Sequence, residues 1–467
     1  MERLPKTETI ADISVGMIGL GCAKNLVDGE VMLGHLLRNG VSLTSDPTQA
    51  DVVIVNTCGF ITDAKRESLE EILEVAEAKR QGQVKRLVVA GCMVQVYAEE
   101  MKREIPEIDA FVGLDQLEAI VEAVRGEKDG SLPDQHGAVR LYDHQQPRVL
   151  STQGYAFLKV AEGCDNPCSF CHIPAMRGSY RSRRMGDLIA DARRLEAAGV
   201  KELILIAQDT TRFGEDLGLG REGLRRLVEG ILEATSIPWV RFLYAYPATL
   251  DEGLFDLMAS EDRFLSYLDI PLQHADRKIL KAMKRGGDAG SFRKMIDRAR
   301  TTVPDLTLRT TFIVGFPGEG EGEFRTLEEF VEDLRFDHLG VFTYSWQEEN
   351  PGFELGDPVS ESVKKERMER LMEIQQPISM ALNEGLVGRR FPALIEGPLE
   401  EMELLTAARL PRQAPEIDGR LLINDGTAPA GSLVEVEITE AHPYDLVGTL
   451  HHVIDSAPEK QTLPVLG

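Results

Sequence analysis

The sequence predicts an α/β protein in three parts: an N-terminal parallel-sheet domain, a central partial β/α barrel and a small C-terminal all-β barrel. Three observations carry this reading. Short β-branched apolar runs alternate with amphipathic helical stretches over residues 14–125 and again over about 155–375. Near residue 388 the pattern changes to short β-type runs separated by turn signals. At 467 residues, with 43% hydrophobic and 28% charged side chains, the chain is too long for one domain and apolar enough for several cores.

In the first part, "SVGMIGL", "DVVIVNT" and "KRLVVAG" are runs of the kind buried on both faces of a parallel sheet. Between the first two, Leu26, Leu33, Leu36 and Leu37 follow helical spacing and Gly40 marks a stop. A second helix-forming stretch, "TDAKRESLEEILEVAEAKRQG", follows the second run. Residues 125–139 are polar and Gly-rich and read as a connector. Six candidate strands then follow: "AFLKVAE", "ELILIAQ", "WVRFLYAY", "YLDIPLQ", "TLRTTFIVGF" and "HLGVFTYS". Helical patterns lie between most of them, the ladder of a barrel or a large part of one. "FPALIEG", "GRLLIND" and "LVEVEITE" supply the small all-β barrel. The expected boundaries are 1–140, 141–378 and 379–446, with a loose tail over 447–467.

No run of about 18 apolar residues suggests a membrane span. The opening "MERLPKTETIADIS" has no basic and apolar leader, so the expected compartment is the cytoplasm. The net charge of −25 repels nucleic acid at long range and attracts basic partners.

Six cysteines in so long a chain favour metal or redox chemistry over a disulfide framework. Cys164, Cys168 and Cys171 stand as C-x3-C-x2-C directly after a candidate strand. Three thiolates on one loop can hold three irons of a cubane and leave the fourth open to a chelating ligand. The competing reading is a zinc site completed by His172. Cys22, Cys58 and Cys92 are far apart in sequence, yet each ends an apolar strand just before a helix, in "MIGLGC", "VIVNTC" and "VVAGC". In an open parallel sheet those ends share one edge, so the three thiols are expected to converge there. The competing reading is three separately buried small hydrophobes.

The C-x3-C-x2-C loop with Phe170 before its last cysteine resembles that of the radical S-adenosylmethionine (SAM) enzymes. Two three-cysteine sites, one per α/β domain, resemble the methylthiotransferases within that group. The likeness runs to about residue 446 through "GCAKNLVDGE", "NTCGFI", "AGCMVQ", "GCDNPCSFCHIPAMRGSYRSR", "IAQDTT", "IPLQHADRKILKAMKRG", "TTFIVGFPGE" and "FTYSWQEE". It implies two 4Fe–4S clusters, one on Cys164, Cys168 and Cys171 that binds SAM, and an auxiliary one on Cys22, Cys58 and Cys92. It implies an N-terminal methylthiotransferase domain, a radical SAM barrel and a terminal TRAM domain that recognises substrate. It also implies a transferase in which the first cluster yields a 5′-deoxyadenosyl radical and the second delivers a methylated sulfur. An external electron donor and a sulfur source follow, and no protein side chain acts as general acid or base.

Expected contacts to SAM are Phe170 against the adenine, Gln208, Asp209 and Gln273 at strand ends, and Gly315 in "FIVG". "GFPGEGEGEF" is not a phosphate loop, because it lacks the Lys-Ser/Thr ending and carries three glutamates. Arg177, Arg181, Arg183 and Arg184 are expected on a solvated face. After "FTYSWQEE" the chain reads "NPGFEL" where the family commonly has Gly-Thr, a departure that bears on any ligand contact there.

The family has branches that modify an adenosine of transfer RNA and one that modifies an aspartate of the twelfth small-subunit ribosomal protein. Residues 388–446 hold five Arg, no Lys and eleven Asp plus Glu, a net −6. Such a module repels phosphate and draws a basic protein. "IPAMRGSYRSR" and "LPRQAPEIDGRLLI" also resemble the ribosomal-protein branch. The expected reaction is therefore methylthiolation of the aspartate β-carbon. The alternatives are a transfer-RNA methylthiotransferase and a non-catalytic iron–sulfur protein that binds the ribosome.

Overall fold

The structure, a computed structural model, describes residues 13–130, 132, 139, 141–399, 402–457 and 465–466. Most of the expected connector at 125–139 lies outside the described residues, as do Glu400 and Glu401.

The N-terminal domain is a five-stranded parallel sheet in the order β2-β1-β3-β4-β5. Its strands are β1 (Ser14–Gly19), β2 (Ser42–Leu43), β3 (Val52–Thr57), β4 (Arg86–Gly91) and β5 (Ala110–Val112). β3 and β4 are buried along their whole length, which explains their unbroken apolar sequence. Helices α1 (Ala23–Arg38), α2 (Thr62–Arg80) and α3 (Cys92–Glu104) connect them. One core packs Ile72, Val75, Val94 and Ala98 against the sheet, and another packs Met32 and Leu36 on its opposite face. β2 and β5 are additions to the sequence reading; at two and three residues they are too short to show a period.

The central domain has six parallel strands in two three-stranded sheets. Tyr155–Lys159, Glu202–Ile206 and Trp239–Phe242 form one; Tyr267–Asp269, Thr307–Val314 and His338–Thr343 form the other. A single bridge between Val240 and Phe264 links them across the seam. Alternate residues divide between two cores. Leu158, Leu203, Leu205, Val240 and Phe242 face the surrounding helices. Tyr155, Phe157, Ile204, Ile206, Trp239 and Tyr267 face inward, where Ala23 and Val27 of α1 and Leu394 and Leu433 of the terminal barrel join them. One core is thus shared by all three parts.

The terminal strands Arg390–Leu399, Met402–Arg409, Leu421–Asp425, Leu433–Ala441 and Leu446–Asp455 close into a barrel. The boundary expected at 446 is corrected here: the last barrel strand begins there and pairs along its length with Leu433–Ala441. Nor are all the final residues loose, since Val465–Leu466 pair with Arg148–Val149. The helix Glu361–Glu384 runs through the boundary placed at 378.

Buried ion pairs dock the barrel onto the central strands. Arg409 binds Glu202 at 2.7 Å, and Glu202 also meets Arg241 at 2.6 Å. Asp418 accepts the Tyr267 hydroxyl at 2.6 Å and meets Arg309 at 3.4 Å. Among the described residues no helix is long and apolar enough to cross a membrane.

Candidate active site

β1, β3 and β4 are neighbours, and their carboxyl ends carry Cys22, Cys58 and Cys92. Gly21 and Gly91, both left-handed (φ +90° and +94°), let the chain turn sharply off the sheet just before two of these cysteines. A Cβ on Gly21 would stand 3.0 Å from the Cys58 sulfur, so the two loops are in direct contact. Ser68 holds the third: its hydroxyl accepts from the Cys58 N–H and donates to the Cys58 carbonyl. Asn25 donates to the Leu20 carbonyl at 2.7 Å, and Asn56 donates to the Asn25 carbonyl at 2.8 Å, bracing the same edge.

The three thiols are free and sense one another's charge. Burial pushes Cys92 up to about 12, against the pull of Arg177. Burial also acts upward on Cys22, but the Lys24 and Arg177 cations together with the Asn25 and Lys24 backbone N–H groups outweigh it and hold that thiol below its ordinary value. Lys24 is buried with its ammonium 3.3 Å from the centre of the Tyr244 ring.

The second trio lies on the loop after Tyr155–Lys159. Gly163, also left-handed, sits so close to the Ser179 carbonyl that any Cβ would fall 2.2 Å from its oxygen. Cys164 and Cys171 open onto a cavity of about 450 Å³ that Asn166, Lys284 and Pro351 also line. Cys168 accepts a long contact from Arg285 at 3.6 Å. Burial pushes Cys171 up to about 12. All three thiols are free, and their donor set suits a soft metal cluster with a ligand cavity beside it.

His172 is not available to complete a zinc site. Its Nε2 bonds the Gly59 carbonyl at 2.9 Å and its Nδ1 the Asn350 amide oxygen at 3.0 Å. Among the described residues no three His, Cys, Asp or Glu side chains are placed to share a single metal ion.

Between the trios lies the five-residue helix Ile173–Arg177, about 7 Å long at the usual rise. It begins two residues after Cys171, and its Ile173 and Met176 pack with Cys92. Its last residue, Arg177, donates to the Cys92 sulfur at 3.1 Å, to Asp28 at 3.1 Å and to Glu162 at 3.0 Å. Lys159 completes the group by binding Asp28 and, at 2.7 Å, Glu162. All four charges are buried. Burial pushes the Glu162 carboxyl up, and the Arg177 and Lys159 cations more than reverse that, holding it far below the usual range. Two cations and two anions, three of them from the central domain and Asp28 from α1, therefore balance inside the interface.

This corrects the solvated face expected for the arginines: Arg177 and Arg183 are buried, Arg183 against Asp191. Arg184 is exposed and Arg181 half-buried. The sequence reading missed Lys24, Asp28, Lys159, Glu162 and Arg285. The one signal available was their lying inside otherwise apolar or cysteine-bearing stretches, where a charge needs a partner.

None of the five residues expected to contact SAM is among the residues that line the cavity. Phe170 packs against Ile279, Met283, Phe316 and Tyr344. Gln208 donates to Glu162 at 2.8 Å, leaving its own carbonyl oxygen buried without a partner. Asp209 accepts from Asn166 and Thr211, so both its oxygens are engaged in bracing the cysteine loop. Gln273 is left-handed (φ +71°) and joins its backbone to Thr311 and Ile313. Gly315 follows the strand Thr307–Val314 directly and donates its N–H to Glu319.

The acidic terminal barrel is less open than its composition suggests. Glu435 and Glu437 both pair with Arg390, and with His452 and His451 respectively. Glu396 is taken by Arg409.

Comparison with known proteins agrees with this architecture. Residues 14–113 match the family described as Uncharacterized protein family UPF0004, residues 158–331 the Radical SAM superfamily, and residues 387–450 the TRAM domain. The radical SAM methyltransferase TsrM from Kitasatospora setae, solved with cobalamin and a 4Fe–4S cluster, shares the fold. Its TM-score is 0.53 at 14% identity, over 73% of this chain and 77% of that one. Fold and cysteine loop define a radical SAM protein, a class that implies one 4Fe–4S cluster and SAM. The ribosomal protein uS12 methylthiotransferase RimO of Solibacter usitatus (strain Ellin6076) is 47% identical over 96% of each chain. That of Syntrophotalea carbinolica is 45% identical over 98% of this chain and all of its own. The chain belongs to the RimO family of methylthiotransferases.

Proposed function

We propose that the protein is a radical SAM methylthiotransferase that adds a methylthio group to the β-carbon of an aspartate in ribosomal protein uS12. The observation that carries this reading is the pair of free cysteine trios on either side of one short helix, with Arg177 touching Cys92. A cluster held by one trio would then adjoin a cluster held by the other. Cys164, Cys168 and Cys171 would hold the SAM-binding cluster, and Cys22, Cys58 and Cys92 an auxiliary 4Fe–4S cluster. Phe170, Gln208, Asp209, Gln273 and Gly315 would shape the SAM site from around the loop. Bound, the two clusters supply reductive cleavage of SAM and a carrier for the incoming sulfur.

The chain's own residues hold and orient. Asn166, Lys284 and Pro351 wall the cavity beside Cys164 and Cys171. Arg177 fixes the Cys92 sulfur by a charge-assisted hydrogen bond while Asp28 and Glu162 orient its guanidinium. No side chain is assigned a proton transfer. The domains are read as residues 1–140, a central domain that ends in the helix Glu361–Glu384, and the terminal barrel, acting in the cytoplasm with an external electron donor and a sulfur source.

The test is incubation of the anaerobically reconstituted protein with SAM, sulfide and reductant, offering purified uS12 and transfer RNA side by side. Mass spectrometry should find one methylthio group on a uS12 aspartate and none on the RNA. Modification of the RNA alone would replace this reading with the nucleic-acid branch.

A further inference from the structure

The last strand of the central domain, His338–Thr343, leads into a segment that carries an unusual concentration of open apolar surface. Phe342, Trp346 and Leu355 are 49%, 44% and 46% exposed. Trp346 does not swing freely. Its ring stacks on Phe353 with centroids 4.8 Å apart and planes 8° from parallel, and its indole N–H donates to the Phe353 carbonyl at 3.0 Å. The two rings form a fixed flat platform, a low-entropy way to present aromatic surface.

The platform is anchored to both domains. Gly352 donates to the Ser169 carbonyl at 2.8 Å, inside the cysteine loop, and Asn350 bonds His172. On the other side Gln347 donates to the Phe60 carbonyl at 3.2 Å, Ser345 meets Thr62 at 2.8 Å, and Glu349 pairs with Lys65. Pro351, between the two rings in sequence, lines the cavity shared with Cys164 and Cys171. Anything resting on Trp346 therefore sits at the rim of the cavity, in a fixed position relative to it. This is also the segment where "NPGFEL" departs from the family's Gly-Thr.

Charge selects the occupant. Glu348 and Glu354 follow the two ring residues by two and one positions in sequence, both exposed, and neither side chain makes an ion pair or hydrogen bond among the described residues. Lys65, the cation tied to this segment, is committed to Glu349 and Tyr97. An aromatic face with two open carboxylates in the same segment attracts a guanidinium or ammonium group through the ring quadrupole and by direct charge. Nucleotide bases also stack on tryptophan, but their phosphates would meet Glu348 and Glu354.

We propose that Trp346 and Phe353, with Glu348 and Glu354, form a docking platform for an Arg or Lys side chain of the basic protein substrate at the rim of the Cys164–Cys171 cavity. This rests on the proposed ribosomal-protein reading. It assigns the placing of the target segment to this chain's own loop, in addition to the terminal barrel.

The experiment measures binding of purified uS12 to the reconstituted full chain by calorimetry and by tryptophan fluorescence. The chain has two tryptophans, and Trp239 is buried, so a spectral shift on binding reports Trp346. Trp346→Ala should remove that shift and weaken binding by roughly two- to thirtyfold, the span of one cation–π contact from exposed to desolvated. Trp346→Phe should recover part of the loss. The double variant Glu348→Gln, Glu354→Gln, on the surface and neutral to folding, should weaken binding and flatten its salt dependence, and it decides the matter if Trp346→Ala does not fold. Wild-type affinity for uS12 in both variants would overturn the platform and leave the substrate reading standing. Wild-type protein that binds transfer RNA and ignores uS12 would overturn the substrate reading itself, and the platform with it.

Discussion

The two cysteine trios reach similar ends by opposite routes. Cys164, Cys168 and Cys171 share one loop of eight residues and open onto a cavity. Cys22, Cys58 and Cys92 come from three loops up to seventy residues apart and share one sheet edge because β1, β3 and β4 are adjacent and parallel. The electrostatics differ as well. Two cations, Lys24 and Arg177, act on the N-terminal trio, and Arg177 touches a sulfur at 3.1 Å. The central trio has Arg285 at 3.6 Å from Cys168. A site built on one loop depends on local turns, whereas one built on three strand ends depends on the sheet and on the charges of a neighbouring domain.

The largest effect should come from removing each trio in turn. Cys164, Cys168 and Cys171 all changed to Ala should abolish SAM cleavage and leave about four irons of roughly eight per reconstituted chain. The same change at Cys22, Cys58 and Cys92 should also leave about four but spare SAM cleavage in the absence of substrate. Iron assay with product chromatography reads both. Loss of all iron from either variant would mean the trios are not independent.

Next comes the link between them. Arg177→Met leaves Asp28 and Glu162 with Lys159 as the one cation of that buried group. Breaking a buried pair this way costs about 3–5 kcal/mol, measurable by urea denaturation. Arg177→Lys should fall between, since a single ammonium cannot replace the guanidinium fork on three partners.

The glycines test the local turns directly. Gly21→Ala places a methyl 3.0 Å from the Cys58 sulfur in a left-handed backbone, at a cost of roughly 1–3 kcal/mol. Iron should be lost from the N-terminal trio alone. Gly163→Ala, whose methyl would meet the Ser179 carbonyl, should do the reverse.

A smaller effect is expected in acid. Burial raises the Glu162 carboxyl and its two cations lower it further than burial raises it, so the net shift is downward. The stability it contributes is therefore complete above the unfolded value of about 4.3 and is lost as pH falls below that. Denaturation midpoints should drop below about pH 4, and Glu162→Gln should flatten that part of the profile. An unchanged profile would remove the interface from acid unfolding.

The smallest effect is at the terminal barrel. Glu435→Lys with Glu437→Lys should slow association with uS12 only a few-fold at low salt, and less once the Debye length shrinks to about 8 Å near physiological salt. Both carboxylates already have partners on their own surface, which limits what their reversal can change.

Much of this molecule was legible in the chain. β3 and β4 read as unbroken apolar runs because both faces of a parallel sheet are covered, and the six central strands follow from the same logic. The cysteine loop was legible because its spacing is local. β2, β5 and the strand Met402–Arg409 did not stand out, the first two because they are too short for a period. The strand Leu446–Asp455 reads as tail in the sequence because half of its residues are exposed and it carries polar ones, so its membership depends on pairing with Leu433–Ala441.

By itself, the order of residues determined the three-part architecture, the two sets of cysteines and the family likeness, all of which rest on short-range spacing and periodicity. Tertiary structure alone decided that Arg177 is buried beside Cys92, that Asp28 of α1 neutralises it from the neighbouring domain, and that Trp346 lies flat on Phe353 at the cavity rim. The physical reason is that a charge leaves water only where an opposite charge waits for it. Residues 149 positions apart, such as Asp28 and Arg177, acquire that relation through packing and not through sequence spacing.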